Sequence, residues 1–560
     1  MSITILSGGD FNFKNNKYIK FVYIKASVNL IRVCNFEGCT NLTSIVLPPS
    51  VTHIGDHAFF RCTSLTSINI PLSVTSISGW AFKRCTHLTS IVLPPSVTFI
   101  GEYAFSECTS LTSISIPSSV AYIDNHTFEE CTSLTSITLP SSVAYIGDVA
   151  FKGCTSLTSI VLPSSVKHIG ARTFADCTSL TSIIIPSSVT AIQPLTFDGC
   201  TNLTIITLPP SVTSIGNVAF KGCTSLNSIV LPSSVKHIGA RTFADCTSLT
   251  SIIIPSSVTA IQPLTFDGCT NLTIITLPPS VTSIRDGAFK ECTRLKSINI
   301  PSSVAHIGSH IFYGCISLTS ISIPPSVAYI GDRTFEKCTS LTSIVIPSSV
   351  THIGSRTFTG CTSLTSIVLP SSVKHIGDQT FAGCISLTSI IIPSSVTEIK
   401  PCTFEGCTSL TSITIPPSVT SIGVRAFGGC IRLSMVAIPN AHSIEAFAFV
   451  HCTNLEYVAA PANIVNNPGK IFNGCPKLDN GRNGIVVYTS ATNLHVLRSQ
   501  YFRTNSMDRL TLEQRDFVTK TMMIMDAVNG VDTTDFPHIP SDVMVLILQQ
   551  LLTTNLGTYN

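Results

Sequence analysis

Cysteine and histidine are the two residue types in this 560-residue chain whose spacing could carry chemistry. Of the 22 cysteines, one recurs every 23 residues from Cys39 to Cys430, and the row continues at Cys452 and Cys475. Such a row could be a disulfide ladder or a string of metal ligands. Parallel rungs would set neighbouring Cα atoms about 5 Å apart, within bridging range. In-register stacking also makes the Cβ vectors parallel, which suits the bridge dihedral badly. Metal sites need clustered ligands such as C-x-x-C pairs, and the sequence has none. The row therefore reads as buried free thiols acting as small hydrophobes, which fits a reducing compartment.

Numbered from each cysteine, histidine recurs at unit position 15: His53, His168, His237, His306, His352 and His375. His352 and His375 fall in adjacent units and should be near neighbours. A metal or pH-sensing stripe is one reading. Most units carry other residues there, so a solvated face is the preferred reading.

A strict period of this length means stacked supersecondary units rather than a globule with one centre. The consensus is C-T-S-L-T-S-I-x-[IL]-P-[SP]-S-V-T-x-I-G-x-x-[AT]-F-x-G, as in CTSLTSIVLPSSVKHIGDQTFAG from Cys361. Nineteen cysteine-to-cysteine units lie between Cys39 and Cys475, and Val28, Ile31 and Phe36 mark a partial unit before them. The segment L-T-S-I-x-[IL]-P alternates with period two and predicts a short strand ended by proline. A second apolar set, such as Val51, Ile54 and Phe59, must point into the same interior. Phenylalanine fills position 21 from Phe36 to Phe472 and predicts one internal spine. Glycine at position 17 gives way to Ser78, Asp124, Gln193, Arg285 and Lys400, so a strict positive-φ requirement there is not expected. At about 4.8 Å per rung the units should stack into a rod roughly 90 Å long.

The motif L-x-x-I-x-[IL]-P-x-S-V-x-x-I-G-x-x-[AT]-F-x-x-C resembles the BspA-like (bacterial surface antigen type) leucine-rich repeat. The resemblance covers about residues 28 to 480. It implies an α/β-type repeat solenoid, right-handed, with a parallel β-sheet on its concave side. It also implies protein recognition without catalysis, since several members of the family are surface adhesins.

The outward positions of the predicted strand are 6 and 8, the ligand surface that such a solenoid implies. Ser67, Asn69, Ser90, Ser113, Ser115, Ser136, Thr138, Ser159, Ser182 and Thr207 are the candidate protein-binding residues. Ile184 also stands at position 8, so the face is uncharged, hydroxyl-lined and partly apolar. Residues 150–215 recur at 219–284 with one change, Thr158 to Asn227. This reads as recombination between interchangeable units, and it argues against a unique active site in that block.

Charged residues are 11% and the net charge is +3, which does not favour a nucleic-acid partner. The N-terminus lacks the pattern of a secretory signal, and no apolar run reaches 18 residues. The expected compartment is the cytoplasm, with the cell surface as the alternative. No phosphate loop, nucleophile elbow or repeated carboxylate pair occurs, so neither an enzyme nor a cofactor is expected. Sequons at Asn41, Asn125, Asn202 and Asn271 are a chance outcome in so threonine-rich a chain. Asp and Glu at positions 18, 19 and 22 read as solvated surface.

The expected division is an N-terminal cap (1–27), the solenoid (28–484) and a helical C-terminal capping region (485–560). Thr511 to Gln514 form a capping box that predicts a helix to about Val528. A second helix is predicted from Ser541 through Leu551. IPSDVMVLILQQLL also looks faintly like the first helix of an F-box, which would make the chain a ubiquitin-ligase substrate adaptor.

Overall fold

The computed structural model describes residues 3–6, 11–461, 468–478 and 484–488. The predicted C-terminal helices and the F-box-like stretch lie outside these residues. Most units contribute a three-residue strand at positions 6 to 8, such as Ser67–Asn69, Ser90–Val92 and Ser113–Ser115. Each also contributes a two-residue strand at positions 15 and 16, such as Tyr122–Ile123 and Tyr145–Ile146. Both sets form parallel ladders in which like positions pair: Ser113 with Ser136, Ile114 with Ile137, and Tyr122 with Tyr145.

The strand reading holds because alternation puts one side chain of three inside. Position 7 is buried between two exposed neighbours, as in Ser67–Asn69. The sheet extends beyond the counted units. Ile3–Leu6 pairs with Phe21–Ile24, which pairs with Ser44–Val46. At the other end Tyr457–Pro461 pairs with Gly484–Tyr488.

The α/β-type expectation is corrected: the only α-helix among the described residues is the four-residue Pro468–Ile471. The segment at positions 17 to 23 is a chain of turns instead. Residues 19 and 23 take a left-handed backbone, as in His57 (φ 56°), Arg61 (φ 60°), Val149 (φ 62°) and Gly153 (φ 72°). A right-handed helix cannot continue through such residues. The amides of positions 19, 21 and 23 leave their own unit and donate to carbonyls of the next. His57 N–H reaches Gly79 O at 3.1 Å, Phe59 N–H reaches Ala81 O at 2.8 Å, and Arg61 N–H reaches Lys83 O at 2.9 Å.

These turns carry the phenylalanine spine. Phe36, Phe59, Phe82 and Phe105 are fully buried, with centroids 5.4, 5.2 and 5.4 Å apart and near-parallel planes. Aromatic pairs of this kind add about 0.5–1.5 kcal/mol each beyond burial. Beside them run the thiols. All 22 cysteines are free, and those of the row are buried. Each thiol of the row turns toward the carbonyl of the phenylalanine 25 or 26 residues earlier, as in Cys62 Sγ–H to Phe36 O at 3.0 Å and Cys200 Sγ–H to Phe174 O at 3.0 Å. Burial drives these thiols upward from 9.0, to about 12 for Cys131 and for Cys407. That keeps the protonated donor, the form the ladder needs.

The Ser and Thr content has the same use. Ser50 donates to Val28 O at 2.5 Å, Thr43 to Lys20 O at 2.9 Å, and Thr63 to Thr40 O at 3.3 Å. Buried Thr173 donates toward both Gly170 O at 2.7 Å and Gly147 O at 3.1 Å.

The carboxylates at position 18 are exposed as expected, and they also bond between units. Asp56, Asp148 and Asp332 each accept the position-18 amide of the next unit, from Gly79, Ala171 and Ser355, at 2.7–2.9 Å. Glycine at position 17 has an ordinary φ, as expected, but a different cause from mere tolerance. A Cβ on Gly331 would lie 2.5 Å from Gly308 O and 2.7 Å from Ser309 N. Backbone stacks on backbone there.

The three-residue ladder is interrupted. No full strand forms at Ser159–Val161, Ser228–Val230 or Ser297–Asn299 among the described residues; at the first of these only single bridges remain. The interruptions recur at the 69-residue offset of the duplication.

Candidate interaction surface

The ladder of positions 6 to 8 presents one uncharged face from Ser44 to Thr414. All ten sequence-predicted residues lie on it and are exposed: Ser67, Asn69, Ser90, Ser113, Ser115, Ser136, Thr138, Ser159, Ser182 and Thr207. Parallel register brings them together by position, Ser67 opposite Ser90 and Asn69 opposite Val92. Seven of the ten lie on the first four rungs of that set, a hydroxyl-rich stretch from Ser67 to Thr138.

The more distinctive part of the face follows it. Val161, Ile184, Ile205, Val230, Ile253 and Ile274 stand on six successive rungs, each 62–82% exposed. Single exposed aliphatics are ordinary, whereas a contiguous row is not. The row steps from position 8 to position 6 at Ile205, because Ser182 pairs with Ile205 and Ile184 with Thr207. The same step recurs at Ile274, since Ser251 pairs with Ile274. The duplication therefore presents one aliphatic triplet twice, three rungs or about 14 Å apart. The period was legible in the sequence, but the mixing of positions 6 and 8 hid the continuity of the row. Beyond it, Ser297, Asn299, Ser320, Ser322, Ser343 and Val345 line a shallow, hydroxyl-rich depression of about 390 Å³.

A second column escaped the sequence reading. At position 19 His57, Trp80, Tyr103 and His126 stack in four successive units, with centroids 5.3, 4.3 and 4.1 Å apart. Lys83 Nζ lies 4.3 Å from the Trp80 ring centre and 4.2 Å from that of Tyr103. The signal was available as four aromatic residues at one unit position. Because the ring faces stack on one another, this column reads as a local clamp between units.

Position 15 forms a third column, where His352 and His375 stack at 4.4 Å as the spacing predicts. Among the described residues no three His, Cys, Asp or Glu side chains gather at one place that could hold a metal ion.

A sequence model of the BspA type leucine rich repeat region matches in six overlapping copies, at residues 7–135, 122–250, 192–319, 236–365, 284–411 and 351–479. The chain belongs to this leucine-rich repeat family. Solved structures similar to it include a leucine-rich repeat protein from Bacteroides ovatus, at 29% identity over 80% of this chain and 92% of that one, with a TM-score of 0.44. A leucine rich cell surface protein from Faecalibacterium prausnitzii is 27% identical over 66% of this chain and 91% of that one, with a TM-score of 0.39. The T. pallidum leucine rich repeat protein is 35% identical over 33% of this chain and 77% of that one, with a TM-score of 0.27. A search among curated proteins finds no significant match. No helix among the described residues is long and apolar enough to cross a membrane.

Proposed function

We propose that this BspA-type solenoid is a non-enzymatic scaffold that binds a protein partner on the face formed by positions 6 and 8, which the family resemblance puts on the concave side. The six-rung aliphatic row from Val161 to Ile274 carries this reading. It leaves apolar surface in water at positions where serine or threonine serves the fold equally well on neighbouring rungs. Burial of such a row against a partner releases about 25 cal/mol per Å² of apolar area. The hydroxyl rows on both sides supply the polar rim that protein interfaces use. An uncharged face also makes the association insensitive to salt.

The test is affinity capture from the native cell with the full chain and with an Ile184→Lys/Ile253→Lys variant. A Lys236→Glu variant, changed outside this face, serves as control. The expected result is a set of cross-linked proteins lost with the lysine pair and kept with the control. Identical capture by all three chains would remove the face from consideration.

A further inference from the structure

The position-15 column lies on the other strand ladder and takes no part in the proposed interface. Six histidines occupy it, but only at one place do two stand on adjacent rungs. His352 and His375 are paired residues of the parallel ladder. Both are exposed, their ring centroids are 4.4 Å apart, and the planes differ by 20°. Elsewhere the column isolates them: Ser214 and Ala260 flank His237, and Tyr145 and Ala191 flank His168.

One ring nitrogen of His352, Nδ1, has a hydroxyl partner. Thr351 Oγ1 has one hydrogen, and it points to Ala328 O at 3.3 Å. The same oxygen lies 2.8 Å from His352 Nδ1. In the tautomer with its hydrogen on Nδ1, the ring donates to this hydroxyl and keeps its lone pair on Nε2. Metal-binding imidazoles are prepared in this way, with one nitrogen donating to a neighbour and the other left open. On the next rung Glu398 is engaged by Lys400 Nζ at 2.6 Å, so its carboxylate does not join the pair.

We infer that His352 and His375 form a two-imidazole site for a borderline first-row divalent cation such as Ni²⁺, Cu²⁺ or Zn²⁺. Neutral imidazole suits these ions, and Cu²⁺ should bind most tightly. Metal–nitrogen bonds of about 2.0–2.1 Å set the two ligating atoms about 3–4 Å apart with both in-plane lone pairs aimed at one ion, which two nearly parallel stacked rings do not offer. Each exposed ring must therefore swing toward the other from its stacked position. Water completes the coordination shell, because the described surroundings supply no third ligand.

Calorimetric titration of the full chain with Ni²⁺ tests the site; nickel avoids the copper–thiol redox reaction. One ion should bind, and it should raise the midpoint of thermal unfolding. His352→Ala and His375→Ala should each weaken binding at least tenfold, since either leaves a single imidazole. His168→Ala and His237→Ala, on the same ladder but without an adjacent histidine, should change nothing. Cys402→Ser, a control for the less buried thiol, should also leave binding intact. Affinity unchanged in both variants of the pair would overturn the inference. So would equal loss on removing His168, His237 or the Cys402 thiol.

Discussion

The turn segments and the outer sheet face come from the same 23 residues and obey opposite constraints. Along the turns, Phe and Cys repeat because each fits against its counterpart in the neighbouring units. A side chain there must fit two copies of its own surroundings. On the sheet face the side chains at positions 6 and 8 leave the stack, so Ser, Thr, Asn, Val and Ile interchange from rung to rung. The backbone reflects the same division. Inter-unit bonds of the turns persist through the rungs where the strand ladder lapses, at Ser159–Val161, Ser228–Val230 and Ser297–Asn299. Cohesion resides in the turns, and variation is free to accumulate on the sheet.

Substitutions in the two regions should separate these roles. The largest effect is expected from Phe243→Ala, whose fully buried ring stacks on Phe220 and Phe266 at 5.6 Å on each side. The cost should be about 3–5 kcal/mol in denaturant unfolding. Because each unit contacts only its neighbours, a mid-stack cavity should also uncouple the halves. Fluorescence of Trp80, the single tryptophan, would then report a transition distinct from far-UV circular dichroism. Coincident transitions at unchanged stability would contradict a spine of this importance.

Gly331→Ala should cost about 1–3 kcal/mol, since its Cβ would lie 2.5 Å from Gly308 O and the two rungs would have to spread. A thermal shift near zero would show that the rungs spread easily.

The thiol row predicts loss of stability in alkali. Burial holds Cys131 at about 12 in the fold against 9.0 ordinarily, so the unfolded chain ionises first. Stability is complete below about pH 9 and falls between there and about pH 12, by about 1.4 kcal/mol per pH unit for each such thiol. Cys131→Ala should make the decline shallower by that amount, read from denaturant midpoints between about pH 8 and pH 11.

Asp148→Ala removes the acceptor of the Ala171 amide, an exposed contact of 2.7 Å. Its expected cost is about 0.5–1 kcal/mol by thermal unfolding, because water can replace the carboxylate. Smallest of all is Ile253→Ser, which should alter stability by less than about 0.5 kcal/mol. A large loss there would mean that the aliphatic row serves the fold, and the contrast between the two regions would fail.

Much of this was readable in advance. The Cys and Phe rows, the strand at positions 6 to 8 and its exposed face all follow from burial and period, which a repeated sequence displays many times over. Direction of hydrogen bonding is a different matter. Thr43, Ser50 and Asp148 look like ordinary polar surface until the neighbouring unit supplies a partner 22 or 23 residues away. The left-handed turns were half visible: glycine at position 23 in Gly153, Gly199 and Gly222 signals them, whereas Val149 or His57 at position 19 does not. No helix forms there, because those amides serve the next unit instead of their own turn.

The duplicated block has a mechanical consequence. Every interface within 150–215 is reproduced within 219–284, so inserting or deleting such a block leaves no unit with an unfamiliar neighbour. What changes is the separation of the ends, by three rungs or about 14 Å per block. The molecule is in that sense a ruler graduated in steps of 69 residues, and its length can be reset without redesigning any contact.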